Sequence, residues 1–222
     1  ELYPIHPLAF ELLDEIRDCF SQTRGVVDFV VTQLDGDPAR HVPPFLARPW
    51  GELLTPDRII DHFRDLFELS PELQPLSRLY LPYYEENVAE LFENPAQREL
   101  ALRIVKLLAL FHLAPGRDGI TAAEAAAALT VAPSRLDPAQ NVAIAARLLD
   151  RLASQGRYVR QERGRYAIDL ADAGQQSLER LLEREIEELS ERGASLFEDI
   201  EPLLARGGPG GFNPFTLPRG RW

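Results

Sequence analysis

The sequence predicts a mostly α chain that carries one small β-hairpin, on three observations. Apolar residues recur every three or four positions through most of the chain, which is the helical period. Two helix starts are explicit: Asn94-Pro95, a cap with proline behind it, and Thr121-Ala122-Ala123-Glu124, a capping box. Period-two alternation stands out at one place, Tyr158 to Leu170, on either side of Arg163-Gly164.

Between Pro7 and Leu34, Leu8, Leu12, Leu13, Ile16 and Phe20 form one apolar stripe, and Val26, Val27, Phe29, Val30, Val31 and Leu34 a second. Ser21-Gln22-Thr23 and Gly25 lie between them, so two helices joined by a short turn are expected. Asp35-Gly36-Asp37-Pro38 stops the second helix and opens a proline-rich loop over 36–56. That loop is expected to be ordered, because Phe45, Leu46, Trp50, Leu53 and Leu54 need burial. Thr55-Pro56-Asp57 reads as the next helix start, with Thr55 as N-cap and Ile59, Ile60, Phe63, Leu66 and Phe67 as the apolar face. A further helix is expected over Leu76 to Phe92, interrupted near Pro82, and a strong one over Ala96 to Leu113.

The order from residue 96 onward is more informative. The strong helix ends at Ala114-Pro115-Gly116, and the capping box opens a short helix to Leu129. After a loop with Pro133 comes a helix from Pro138 to Ser154, closed by Gly156. Tyr158–Glu162 and Arg165–Leu170 then read as two strands around a tight turn. Helix, helix, helix, hairpin is the order of a winged helix. A long acidic helix over 171–206 follows, with Leu178, Leu181, Leu182, Ile186, Leu189, Leu196 and Ile200 on its apolar side. The expected organisation is therefore a helical domain over 1–95, a winged helix over 96–170, the acidic helix over 171–206 and a Gly/Pro-rich tail over 207–222.

Composition excludes several classes. With 45% hydrophobic and 27% charged residues the chain is ordinary for a globular protein, and its 222 residues suffice for one large domain or two small ones. Thirty-five acidic residues against 24 basic ones give a net charge of −11, which excludes coating nucleic acid with the whole surface. A single cysteine, Cys19, excludes a disulfide framework within the chain and fits a cytoplasmic setting. No apolar run has the length of a membrane span and the start has no leader-like pattern, so no membrane partner is expected. The chain starts at Glu1 in a motif-like stretch and contains no methionine, which leads us to expect a piece of a longer protein.

Catalytic motifs are missing from the sequence. Lys106, the one lysine, lies in an apolar helix without the glycines of a phosphate loop, and no G-x-S-x-G, H-E-x-x-H or G-x-G-x-x-G occurs. His6, His41, His62 and His112 are scattered, so no metal site is expected. Between Arg147 and Arg165, however, six arginines (Arg147, Arg151, Arg157, Arg160, Arg163, Arg165) stand against two acids, Asp150 and Glu162. In a winged helix those arginines suit DNA phosphates, and Gln140 and Asn141 at the start of the third helix suit base edges. The helix body, Val142-Ala143-Ile144-Ala145-Ala146, is poor in groove-reading side chains, so a packing role for this unit is the competing reading.

Four stretches resemble one family. Tyr3-Pro4-Ile5-His6-Pro7, Phe20-Ser21-Gln22-Thr23-Arg24-Gly25-Val26-Val27-Asp28-Phe29, Pro49 to Asp57 and Glu99 to Leu108 are similar to landmarks of large prokaryotic AAA+-type ATPases of phage defence, the BREX-associated PglY/BrxC-like proteins. The resemblance runs over about residues 3–170. It implies a helical AAA+ lid-like domain followed by a winged helix, C-terminal to a nucleotide-binding core that the chain lacks. It also implies Arg24 as a sensor-2 arginine reaching the γ-phosphate of a nucleotide held by that core. No cofactor is expected on this chain itself, whereas ATP and Mg2+ are expected for the full-length parent. Partners implied are the ATPase core, other defence subunits and double-stranded DNA, with homo-oligomerisation left open. The alternatives are a free-standing winged-helix DNA-binding regulator or chromosome-organising protein, and a structural adaptor.

Overall fold

The computed structural model describes residues 3–17, 24–71, 73–130 and 137–170. The expected acidic helix over 171–206, the tail over 207–222, Cys19 and the Ser21-Gln22-Thr23 turn lie outside the described residues. Among the described residues the chain is mostly helical, with eight α-helices and one two-stranded antiparallel sheet.

Helix α1 (Pro7–Glu15) starts where His6 Nδ1 accepts the Leu8 N–H at 3.2 Å and Pro7 occupies the first turn. It buries Ala9, Leu12 and Leu13. Helix α2 (Arg24–Asp35) buries Phe29, Thr32 and Gln33 but leaves Val27 and Val31 exposed, so its expected single apolar stripe splits across two faces. Gly36 ends it at φ +81°, where a side chain would meet Pro44 N at 2.7 Å.

The proline-rich connection is ordered, yet only part of its apolar set is buried. Phe45, in a 3-10 turn over Phe45–Ala47, and Leu54 enter the core, whereas Leu46 stays exposed and Trp50 is 88% exposed. Leu54 is held because Ile5 pairs with it as a parallel bridge, with His6 N–H donating to Leu54 O at 3.0 Å. Trp50 instead lies against the ring of Tyr3, centroids 4.5 Å apart.

Two short helices follow, α3 (Arg58–His62) and α4 (Arg64–Leu69), broken at Phe63. Thr55 is not the N-cap; Asp57 occupies that position, and the buried Thr55 hydroxyl is taken by Arg103. A π-turn over Leu76–Tyr80 leads into α5 (Leu81–Leu91), with Pro82 in the first turn of α5, where a missing N–H costs least.

Helix α6 (Pro95–Leu113) is capped by Asn94, whose side chain accepts the Ala96 N–H at 2.9 Å. It is the central element, burying Ala101, Ile104, Val105, Leu107, Leu108, Ala109, Leu110 and Phe111. Helix α7 (Ala122–Ala128) opens with the Thr121/Glu124 capping box, and α8 (Pro138–Gln155) with Asp137 as cap. Strands β1 (Val159–Glu162) and β2 (Arg165–Ile168) pair antiparallel, Val159 opposite Ile168 and Glu162 opposite Arg165. One apolar cluster runs from Ile5 to Ile168. The described residues up to Leu170 belong to one compact unit, and its apolar cluster takes in residues on both sides of position 95.

Candidate functional site

The arginine-rich segment includes a hairpin that is closed by a tight turn and held by a backbone bridge close to it. At its tip, Arg163 (φ +51°) and Gly164 (φ +77°) form a two-residue turn with both residues left-handed, the geometry that matches strand twist. One pair away from that turn, Ile120 bridges β2: Ile120 N–H donates to Tyr166 O and Tyr166 N–H to Ile120 O, each at 2.8 Å. The Tyr166 hydroxyl donates to Asp150 Oδ1 of α8 at 2.5 Å and accepts from Gln161 Nε2 at 3.0 Å. Burial and then the Asp150 carboxylate push that phenol up to about 12, so it remains a donor at neutral pH.

The expected DNA-contacting residues do not share one environment. Gln140 is exposed at the start of α8, but Asn141 is 8% exposed and faces the core, away from that surface. Arg165 donates to Gly119 O at 2.8 Å and pairs with Glu124 at 3.2 Å, bracing β2 against α7. Arg157 lies over the ring of Tyr83, and Arg151 lies over Phe92 while donating to Gln155 Oε1 at 3.0 Å. Arg160 makes two loose pairs, with Glu162 at 3.5 Å and Asp169 at 3.8 Å, and stays 57% exposed. Arg147 and Arg163 are exposed and, among the described residues, have no acidic partner.

A second concave region lies toward the N-terminal half. A cleft of about 1310 Å³ is lined by α2, the 40–43 turn, α3 and α4, including Gly25, Asp28, Arg40, His62 and Arg64. Asp28 Oδ2 accepts from Arg40 at 3.1 Å and faces His62 Nε2 at 3.1 Å. Arg40 holds the Asp28 carboxyl below its usual range, and burial of His62 holds that imidazole low as well. An ionised carboxylate only accepts, so neutral His62 carries its proton on Nε2 and donates it to Asp28. Its Nδ1 is buried without a hydrogen-bond partner. Arg24, the sensor-2 candidate, is the first residue of α2, one position before the cleft-lining Gly25.

Three of the four stretches that carry the family resemblance meet in space. Tyr3 stacks on Trp50 and accepts the Gly51 N–H at 3.2 Å, and Ile5 pairs with Leu54. Arg103 donates to Asp57 Oδ2 at 2.9 Å, Thr55 Oγ1 at 3.0 Å and Leu129 O at 3.1 Å. These links were not readable from the sequence, because each joins positions far apart in it. The His6 ring is held low by burial. No group of three or more His, Cys, Asp or Glu that could hold a metal occurs among the described residues, and none of the described helices is long and apolar enough to cross a membrane.

In comparisons with known proteins, no family model, no curated protein and no solved structure matches the chain.

Proposed function

We propose that the chain is the non-catalytic lid and winged-helix part of a BREX-like, phage-defence AAA+-type ATPase, and that its winged helix, from α6 to β2, engages double-stranded DNA. The observation that carries the DNA reading is the hairpin tip. Arg160 and the acid-free Arg163 stand on a hairpin anchored through Ile120 and Tyr166, so their charge is held in place beyond an acidic body. Phosphate contact asks for fixed cations, not for a base-edge pattern. The burial of Asn141, and Asp150 on the exposed side of α8, favour binding that ignores base sequence.

The lid reading rests on the resemblance and is supported by the meeting of three of its motif stretches around Trp50, Leu54 and Arg103. In that reading Arg24 is the sensor-2 arginine, and ATP and Mg2+ belong to the core of the parent protein. A cytoplasmic setting, contact with that core or with other defence subunits, and homo-oligomerisation belong to the same proposal. The internal contacts of Arg165 and Arg157 favour the second reading, a winged helix that packs on a protein partner.

The test is titration of fluorescent duplex DNA with the full chain and with Arg160→Ala/Arg163→Ala, at two salt concentrations. DNA engagement gives weaker binding by the variant for every sequence tried, and a plot of log affinity against log salt shallower by about 2, since each lost phosphate contact removes about 0.9 of slope. No binding by the unaltered chain at low salt, or identical binding by the variant, overturns the DNA reading.

A further inference from the structure

A notch of about 420 Å³ lies between the start of α6 and the flank of α8, lined by Phe92, Leu100, Ile144, Leu148, Arg147 and Arg151 together with Asn94, Ala96 and Gln97. Its floor is apolar, with Phe92 and Leu148 almost fully buried. None of its lining residues is acidic, in a chain whose net charge is −11. Arg147 and Arg151 stand one turn apart on α8, so they repel each other, and among the described residues neither has an acidic partner. Arg151 is held in place from two sides, over the Phe92 ring and by Gln155. The first turn of α6, which also faces the notch, contains no acid to offset the positive end of a 19-residue helix.

A recess with an apolar floor, two lining arginines and a helix N-terminus is complementary to a ligand that is apolar at its centre and anionic at its edges. We infer that this notch binds an acidic segment of a partner protein, seating one bulky apolar side chain on Phe92, Leu100, Ile144 and Leu148 while flanking carboxylates pair with Arg147 and Arg151. The volume has room for an aromatic or leucine side chain together with neighbouring atoms of its segment, and guanidinium–carboxylate pairs at such a rim fix register and orientation. This inference does not rest on the DNA reading, which is tested on Arg160 and Arg163 of the hairpin.

The experiment uses the full chain and a pool of heptapeptides, each with a central phenylalanine, leucine or tryptophan and two acidic residues on either side. A sister pool carries glutamine and asparagine at the acidic positions. Retention of the acidic pool at least tenfold over the amide pool is expected. Two variants with unchanged circular dichroism and melting should each lower that retention at least tenfold: Arg147→Glu/Arg151→Glu, which reverses the rim, and Ile144→Trp, which fills the floor. Equal retention of the two pools, or retention unaffected by either variant, overturns the inference. Displacement of the acidic pool by duplex DNA from the unaltered chain but not from Arg147→Glu/Arg151→Glu would make the notch a phosphate contact and overturn it as well.

Discussion

Arg117 holds Glu15 across 102 residues of sequence, its Nε and Nη2 each 2.6 Å from a carboxylate oxygen. The pair ties the end of α1 to the connection between α6 and α7. The guanidinium also lies over the Phe111 ring, so the cation is positioned by the core as well as by its partner.

Replacing Arg117 by methionine should therefore cost about 2 kcal/mol, the range for charge-assisted paired hydrogen bonds that are partly shielded from water. The hydrogen bond from Arg117 holds the Glu15 carboxyl below its ordinary value, so its contribution is complete above the unfolded value of about 4.3 and is lost as pH falls through the folded one. Urea unfolding of the Glu15→Gln variant should show a shallower loss of stability below that pH.

Arg103 is more heavily committed. Its removal leaves the Asp57 carboxylate, whose side chain is 9% exposed, without a cation, and takes a donor from Thr55 and Leu129 O. Arg103→Met is expected to destabilise by about 3–5 kcal/mol, the scale for a buried charge left alone. Adding Asp57→Asn should restore at least about 1 kcal/mol of that loss, because the stranded charge is gone. Equal stability of Arg103→Met and the double variant would show that the stranded carboxylate is not the source of the loss.

Gly119 adopts φ +84°, and a methyl there would press on the Tyr166 carbonyl and lie 2.9 Å from Ala167 Cβ. Gly119→Ala should cost about 2–3 kcal/mol, from left-handed strain plus displacement of β2. Hydrogen exchange at the Ile120 and Tyr166 amides should accelerate before that of α6.

His62 gives a pH signature. Its folded value is depressed by burial, so the unfolded chain binds a proton more readily, and stability falls as pH drops below about 6.5. His6 and His112 are depressed for the same reason, so they add to the fall. His62→Phe, packed between Phe29 and Phe63, should flatten the decline between pH 7 and 5 by up to one proton, and leave Asp28 with Arg40. A variant with the unaltered pH profile would show that His62 does not titrate in this range.

Local chemistry was legible in the sequence, and tertiary choices were not. Asn94-Pro95, the Thr121/Glu124 box, Asp137-Pro138 and Arg163-Gly164 each act within four residues, and the helices and turn form where those signals stand. Thr55 carries the same kind of signal, but Arg103 of α6 takes its hydroxyl, a competition that no local window contains. Residue type marks Phe45 and Trp50 alike as apolar; only the packing of the 36–56 connection decides that one is buried and the other exposed. The Ile120 bridge is a single residue, too short to leave a period. The six arginines were visible as a group, while three of the partners that divide them come from elsewhere in the fold: Glu124 from α7, and Tyr83 and Phe92 from α5 and its C-terminal cap.

Two tyrosine hydroxyls on one helical run reach in different directions. Tyr80 donates to Val105 O in the middle of α6, and Tyr84 to Arg157 O at the junction of α8 with β1. A swing of the hairpin away from α5 would have to break the second bond, and at Gly156 the packing is so close that a Cβ would lie 2.7 Å from the Tyr84 hydroxyl. The start of the hairpin is therefore tied to α5 by a side-chain hydrogen bond and by close backbone packing at the same point, so one tyrosine couples the arginine-bearing hairpin to the helices that precede it.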